Sequence, residues 1–322
     1  PLADTYFSIV LIGIPFLALS MMANNNLRAE GKAKVAMVVL LIPSFVNIIL
    51  DYIFIDIMDW GMAGAGWATT ISYVGCALYI IYFYVVGKGE LKVRTKLLKL
   101  DFKIVSETFK IGSVNLVRQG TISLLAIVLN NTLYHYGNLA GGIGGEIAIS
   151  VYGLATRMTM FALFPIIGIA QGFMPIAGYN YGARMYDRVK SVINYALLSG
   201  FIIAAFIGGI LMLGADYIPH LFTKDPQLIK YAPNAIFWIF SATPIIVFLL
   251  IAPSYYQAIG KAKPALLLTL TKQGIFLIPL VLILPMYYGI DGVWYSFPIS
   301  DVISAIICFY FLRKSTSKLT LS

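Results

Sequence analysis

Charge is scarce in this chain. Of its 322 residues only 11% are Asp, Glu, Lys or Arg, while 60% are apolar; the mean hydropathy is +0.85. One soluble core cannot hide that much apolar surface, so lipid must be the solvent for much of it. Cysteine is nearly missing too. Cys76 and Cys308 lie far apart inside apolar runs, which excludes a disulfide framework and a CxxC metal or redox site. The two histidines, His135 and His220, fall in segments that read as outer loops, without a ligand partner nearby in sequence. There is no P-loop, no GxSxG and no HExxH, so no enzyme site emerges, and uphill work would have to draw on an ion gradient. The net charge of +9 does not imply a nucleic-acid partner, because the basic residues sit in short loops between apolar runs, not on one face.

What the chain does have is apolar length. Bilayer hydrocarbon is ~30 Å thick and a helical span needs roughly 20 mostly apolar residues. Nine runs meet this, near 5–25, 35–55, 64–87, 108–134, 147–178, 189–215, 230–258, 264–287 and 290–312. Backbone groups in lipid must be satisfied within the segment, so the expected fold class is all-α: a polytopic helical membrane protein. The first run, Thr5–Met22, has neither a basic n-region nor a small-residue cleavage signal and reads as a span. The chain opens at Pro1 without a methionine, and an N-terminal truncation is expected.

The loops orient the spans. When alternate loops are assigned to opposite sides, one side receives Arg28, Lys32, Lys34, the cluster from Lys88 to Lys110, Arg184, Arg188, Lys190, Lys261, Lys263, Arg313, Lys314 and Lys318. The other receives Lys224 and Lys230. The positive-inside rule then predicts a cytoplasmic C-terminus in a multi-pass inner membrane protein. The charged connection also suggests the domain division: 1–87 with three spans, a cytoplasmic linker at 88–106, and 107–322 with six spans and a short tail.

Three spans beside six is lopsided, and an internal repeat accounts for it. Arg28-Ala29-Glu30-Gly31-Lys32-Ala33-Lys34 recurs as Gln257-Ala258-Ile259-Gly260-Lys261-Ala262-Lys263. One helix later Gly61-Met62-Ala63-Gly64 recurs as Gly289-Ile290-Asp291-Gly292, with Ser72 matching Ser300, and the register slips by a single residue across the match. If the first three spans correspond to the last three, three further helices are expected before Pro1, giving two six-helix bundles related as parallel repeats. Secondary transporters and flippases are built this way, with a cavity between repeats that opens alternately to the two sides.

The Arg-Ala-x-Gly-Lys-x-Lys loop, followed by Asn47, Asp51-Tyr52 and Gly61–Gly66, resembles the MATE (multidrug and toxic compound extrusion) transporters. Arg118-Gln119-Gly120 and the stretch Gly168-Ile169-Ala170-Gln171-Gly172-Phe173, leading to Pro175 and Gly178-Tyr179-Asn180-Tyr181-Gly182-Ala183, look like one multidrug-exporting branch of it. The resemblance runs from the family's fourth helix to its twelfth. It implies a twelve-helix, two-lobe transporter that extrudes drugs in exchange for protons or sodium, with no other cofactor. The implied partners are small-molecule drugs and the lipid bilayer, with no nucleic acid, and the implied working unit is a monomer. The chain departs from the family pattern in three places. The coupling carboxylate of the first helix would lie before Pro1; no carboxylate stands in the cores of 108–134 or 230–258; and Val114-Asn115 replaces a proline usual in the branch.

A charge at the bilayer centre costs on the order of 2.5–3.5 kcal/mol on insertion scales, so intramembrane ions are candidate functional groups. Asn115, Arg118 and Gln119 stand at i, i+3 and i+4 on one helical face, expected to look into the protein interior. Arg157 begins a stripe through Phe161, Phe164, Gly168 and Gln171. Thr269, Lys272 and Gln273 repeat the i, i+3, i+4 arrangement, and Trp294, Phe297, Asp301 and Ser304 share a face of the last span. Together with Trp238 these predict a polar, partly aromatic substrate cavity, lined by Asn115, Arg118, Gln119, Arg157, Phe161, Phe164, Gln171, Trp238, Lys272 and Gln273. Aromatic faces there suit flat cationic compounds. Asp301 and Asp51 are the candidate ion-coupling carboxylates, with Arg118, Arg157 or Lys272 as counter-ion to Asp301. The bland alternative is that these residues form structural interhelix pairs or snorkel to an interface, and that Asp51 serves helix packing with Asn47. The rival functions are a flippase for lipid-linked oligosaccharide or a lipid precursor, and a non-transporting scaffold or receptor.

Overall fold

The nine apolar runs are helical in the computed structural model, which describes residues 2–86, 90, 101–139 and 143–318. Among these residues nine helical segments are long and apolar enough to cross a membrane, and they coincide with the nine runs. The chain divides into two compact units, residues 1–100 and 101–322. Most of the segment expected as a linker, 88–106, lies outside the described residues.

The first unit contains α1 (Leu2–Ala29), α2 (Ala33–Asp51), which runs on into a π-helical turn over Tyr52–Ile57, and α3 (Gly61–Val85). Its core is small, centred on Ala23, Leu27, Val39, Cys76 and Ile80. Many large apolar side chains, such as Phe7, Phe45 and Ile48, point outward, as expected of helices solvated by lipid.

The second unit begins with α4 (Phe102–Gly137), where the Asp101 side chain caps the helix by accepting from the Lys103 N–H at 2.9 Å. It continues through α5 (Gly145–Gly182), α6 (Tyr186–Leu213), the short α7 (Ile218–Phe222), α8 (Pro226–Phe240) and α9 (Ile246–Ala258). The next span is α10 (Ala262–Leu270), a π-helical turn over Thr271–Leu277, α11 (Ile278–Ile283) and α12 (Pro285–Tyr288); α13 (Ile290–Lys318) closes the unit. His135 is in the last turn of α4 and His220 in α7, so both occupy helix, not loop as expected: α4 runs past the apolar stretch before it ends. Two apolar layers fill the interior. One is built on Leu129, Leu133, Val151, Ile236, Phe240 and Trp294; the other on Ile166, Phe173, Val247, Ile251, Tyr255 and Leu268.

The repeat read from sequence is a repeat in backbone geometry. α1 ends with Gly31 at φ +74°, and α9 ends with Gly260 at φ +73°. In the first copy Lys32 N–H donates to Leu27 C=O at 2.8 Å and Gly31 N–H to Arg28 C=O at 3.0 Å. In the second, Lys261 N–H donates to Tyr256 C=O at 2.8 Å and Gly260 N–H to Gln257 C=O at 3.0 Å. Both are Schellman caps, whose left-handed residue favours glycine. Gly64 and Gly292 lie against backbone at Phe54 and Leu284 respectively, where a Cβ would meet a carbonyl oxygen at 3.0 Å and 2.6 Å. Ser72 and Ser300 are both buried.

Candidate functional site

Asp301, on α13, is 1% exposed, and its Oδ1 lies 2.7 Å from Lys272 Nζ. Its neighbours on the same face, Trp294, Phe297 and Ser304, are buried as well, as their helical spacing predicted. Of the three basic residues considered as counter-ion, the structure selects Lys272. The side chain of Lys272 keeps 24% of its surface exposed, so the pair is reachable from one side and closed by protein on the other. The Ser304 hydroxyl, one turn on, is buried without a hydrogen-bond partner among the described residues.

Sequence reading missed how Lys272 is delivered. The segment Thr271–Leu277 is a π-helical turn, which places Lys272 and Gln273 inside a distorted stretch; Thr269, Lys272 and Gln273 are all half-buried. A π turn takes one residue more than an α turn and rotates the helix beyond it, a distortion often found at functional positions. Pro279, two residues beyond the turn, removes a backbone donor and favours such a disruption. That proline was the available signal.

A second carboxylate cluster lies in the first unit. Asp51 closes α2 immediately before the π-helical turn Tyr52–Ile57. With its nitrogen turned toward Asp51, the Asn47 amide donates to Asp51 Oδ2 at 3.2 Å and accepts from the Thr69 backbone N–H at 3.3 Å. In the opposite orientation it reaches Thr69 Oγ1 at 3.4 Å. Asp51 Oδ1 is shielded and has no hydrogen-bond partner among the described residues. Thr69 was not expected here; its position one helix away in the chain hides it from spacing arguments. Alongside, a cavity of about 260 Å³ is lined by Ser20, Pro43, Ser44, Asn47, Ser72 and Cys76, among others.

The other expected cavity residues are on the surface of the second unit. Asn115, Arg118 and Gln119 are exposed, where an interior position was expected. At 100° per residue Arg118 falls on the same side of α4 as Val114 and Leu125, both buried. The side of α4 that packs at those two levels is thus left uncovered within the unit at Arg118. Arg157, Phe161, Phe164, Gly168 and Gln171 form a continuous exposed stripe along α5, with Phe161 68% and Phe164 61% exposed. Gln273 is half-buried. Trp238 is half-buried in edge-to-face contact with Tyr295, ring centroids 4.7 Å apart, and Tyr295 meets Tyr288 at 5.9 Å. The structure does not bring Asp301 into an ion pair with Arg118 or Arg157; among the described residues its partner is Lys272.

Nine membrane-length helices among the described residues, a repeated loop and cap geometry, and one carboxylate near a π-helical turn in each copy define a polytopic helical membrane protein of the secondary-transporter class. The particular family follows from comparison: the MatE family model matches residues 1–53 and 123–283, and the chain belongs to that family. It is 29% identical over 320 residues to the multidrug export protein MepA of Staphylococcus aureus strain NCTC 8325, covering 97% of this chain and 68% of MepA. It is 26% identical to MepA of Staphylococcus haemolyticus, covering 98% of this chain and 68% of that protein. Among solved structures, an outward-facing multidrug resistance MATE family transporter of the MOP superfamily superposes with a TM-score of 0.90 at 25% identity, over 99% of this chain and 70% of that one. A MOP superfamily transporter from Pyrococcus furiosus, described by the words "reverse polarity of binding pocket suggests different function", superposes with a TM-score of 0.90 at 27% identity, over 98% of this chain and 70% of that one. These are transport proteins and not enzymes.

Proposed function

We propose that this chain forms the greater part of a cation-coupled antiporter that exports amphipathic, often cationic compounds by alternating access. The export half of the reading is supported by the multidrug export proteins it resembles over nearly its whole length. The coupling half is carried by one observation: the Asp51 carboxylate, inside a span, keeps one oxygen shielded and without a partner beside Asn47 and Thr69. The residue as a whole is half-exposed, but a carboxylate oxygen inside a span that is shielded from solvent and meets no protein donor is a place for a proton or a cation to bind. Binding either would shift the balance of inward- and outward-open forms in proportion to its differential affinity for them. Proton and sodium are the two candidate ions. Asp301 with Lys272 is the second titratable element, and the exposed stripe from Arg157 to Gln171, the Asn115–Arg118–Gln119 face, Gln273 and Trp238 are the proposed drug-contact surface. The basic loops support a plasma-membrane location with the C-terminus in the cytoplasm, and the working unit is a monomer.

The test is uphill efflux of ethidium from proteoliposomes under a proton gradient and, separately, a sodium gradient. One gradient is expected to drive it, and Asp51→Asn to abolish the uphill component while ethidium binding persists. A variant that pumps as well as the parent removes Asp51 from the mechanism. One observation favours a second reading, a flippase for lipid-linked oligosaccharide: Arg118 and Arg157 are both exposed cations within spans, suited to a pyrophosphate head group. No ethidium movement under either gradient, with scrambling of a fluorescent lipid-linked sugar, would establish it.

A further inference from the structure

At the end of the second unit that carries the basic loops, α6 enters and α13 leaves. Both pack against α9, and between them lies a cavity of about 430 Å³ lined by Lys190, Asn194, Leu197, Phe309, Arg313 and Thr316, among others. The lining is graded by depth. Lys190 is one turn into α6, and Arg313 and Thr316 are in the last turns of α13, so charge and hydroxyl stand at the water-facing mouth. Leu197 and Phe309 are seven residues deeper on α6 and four beyond Arg313 on α13, placing an apolar wall about 6–10 Å further into the bilayer at 1.5 Å per residue. The floor is core: Ile193 and Leu312 are 2% and 3% exposed.

Neither Lys190 nor Arg313 is ion-paired with protein among the described residues, although Asp187 lies one turn before Lys190 on the same helix. Two uncompensated cations and two polar side chains above an apolar slot match one chemistry: a phosphodiester with an acyl chain attached. The charges alone would suit a free anion, and the slot alone a neutral lipid; the vertical order of the two, at the depth of a leaflet's head groups, suits an anionic phospholipid. We infer that this groove is a binding site for an anionic phospholipid, such as phosphatidylglycerol, in the leaflet on the side of the basic loops. The guanidinium of Arg313 and the ammonium of Lys190 hold the phosphate, the Asn194 amide donates to its oxygens beside Thr316, whose hydroxyl donates to the Arg313 C=O at 3.1 Å, and one acyl chain lies against Leu197 and Phe309. The inference needs membrane insertion only; it stands or falls apart from the drug-export reading.

Native mass spectrometry of the intact protein, titrated with phosphatidylglycerol and with phosphatidylcholine of the same chains, tests it. The parent should retain phosphatidylglycerol preferentially. Each of Lys190→Gln and Arg313→Gln should weaken it about fivefold, and the double variant about 25-fold, since a basic residue near the surface contributes on the order of one kcal/mol to anionic lipid binding. Lys261→Gln/Lys263→Gln, which removes as much charge from the N-terminal end of α10 outside the groove, should leave the preference in place. Leu197→Trp, which fills the slot and keeps both cations, should also release the lipid and serves if the charge variants do not fold. Inorganic phosphate should not displace it. Equal retention of the two lipids, an effect of the α10 variant equal to that of the groove variant, or displacement by inorganic phosphate would each overturn the assignment.

Discussion

The two copies of the three-helix repeat share a backbone and differ in what they put inside it. In both, a Schellman cap ends the first helix and a glycine admits backbone contact at the start of the third. In register, Tyr73 of the first copy corresponds to Asp301 of the second, Ser72 to Ser300 and Cys76 to Ser304; Lys272 falls opposite Pro43 or Ser44. Pro43, Ser44, Ser72, Tyr73 and Cys76 all line the 260 Å³ cavity of the first unit. The place that holds an ion pair in the second copy is therefore open and uncharged in the first, whose carboxylate, Asp51, sits elsewhere, at the end of α2. Helix ends and close backbone approaches constrain the glycines in both copies alike. Side chains between the helices are constrained only by volume and by pairing, and have diverged.

The comparison breaks first at the ion pair. Asp301→Ala leaves Lys272 without its partner at a mostly buried position, and Lys272→Met leaves Asp301 so; each should cost about 3–5 kcal/mol, measured by denaturant unfolding in detergent. Replacing both with apolar residues should recover most of the loss. If the double variant is as damaged as the singles, the pair has a role beyond mutual neutralisation. Next in size is Asp51→Asn, expected to lower uphill ethidium efflux at least tenfold, about 1.4 kcal/mol of coupling, with little change in thermal stability. Third come the caps. Gly31→Ala and Gly260→Ala meet no atoms within 4 Å, so each should cost only the left-handed backbone penalty of about 1–2 kcal/mol. The two costs should agree within about 0.5 kcal/mol; unequal costs would mean that the shared geometry is not the constraint. Smallest is the exchange of Cys76→Ser and Ser304→Cys, each importing the other copy's residue into a buried small site, expected to shift stability by less than about 1 kcal/mol.

Much of the fold was legible in the residues alone. All nine spans are at the positions that apolar run length predicts, and both Schellman caps occur at the glycines of the repeated loop. The site was legible in part. Asp301 and Lys272 were picked out as ions inside spans, and the Trp294–Phe297–Asp301–Ser304 face is intact. The pairing itself was one of three open choices, and neither π-helical turn was foreseen. Arg118, Asn115 and Gln119 were expected inside and are exposed, because helical spacing says which residues share a face and not whether another helix covers it at that depth. Thr69 was not anticipated at all, since nothing local in α3 marks it as the neighbour of Asn47.

The sequence by itself determined the features that are additive along the chain: the number and length of the spans among the described residues, the repeat, and the family. Each comes from transfer of contiguous residues into lipid, from backbone groups that must bond within their own helix, or from a glycine needed at one φ angle. Only the tertiary structure decided which charges meet and which groups are left open. A partnership such as Lys272 with Asp301 depends on the rotation and depth of two helices relative to each other, and a single π-helical turn resets that rotation for everything downstream of it.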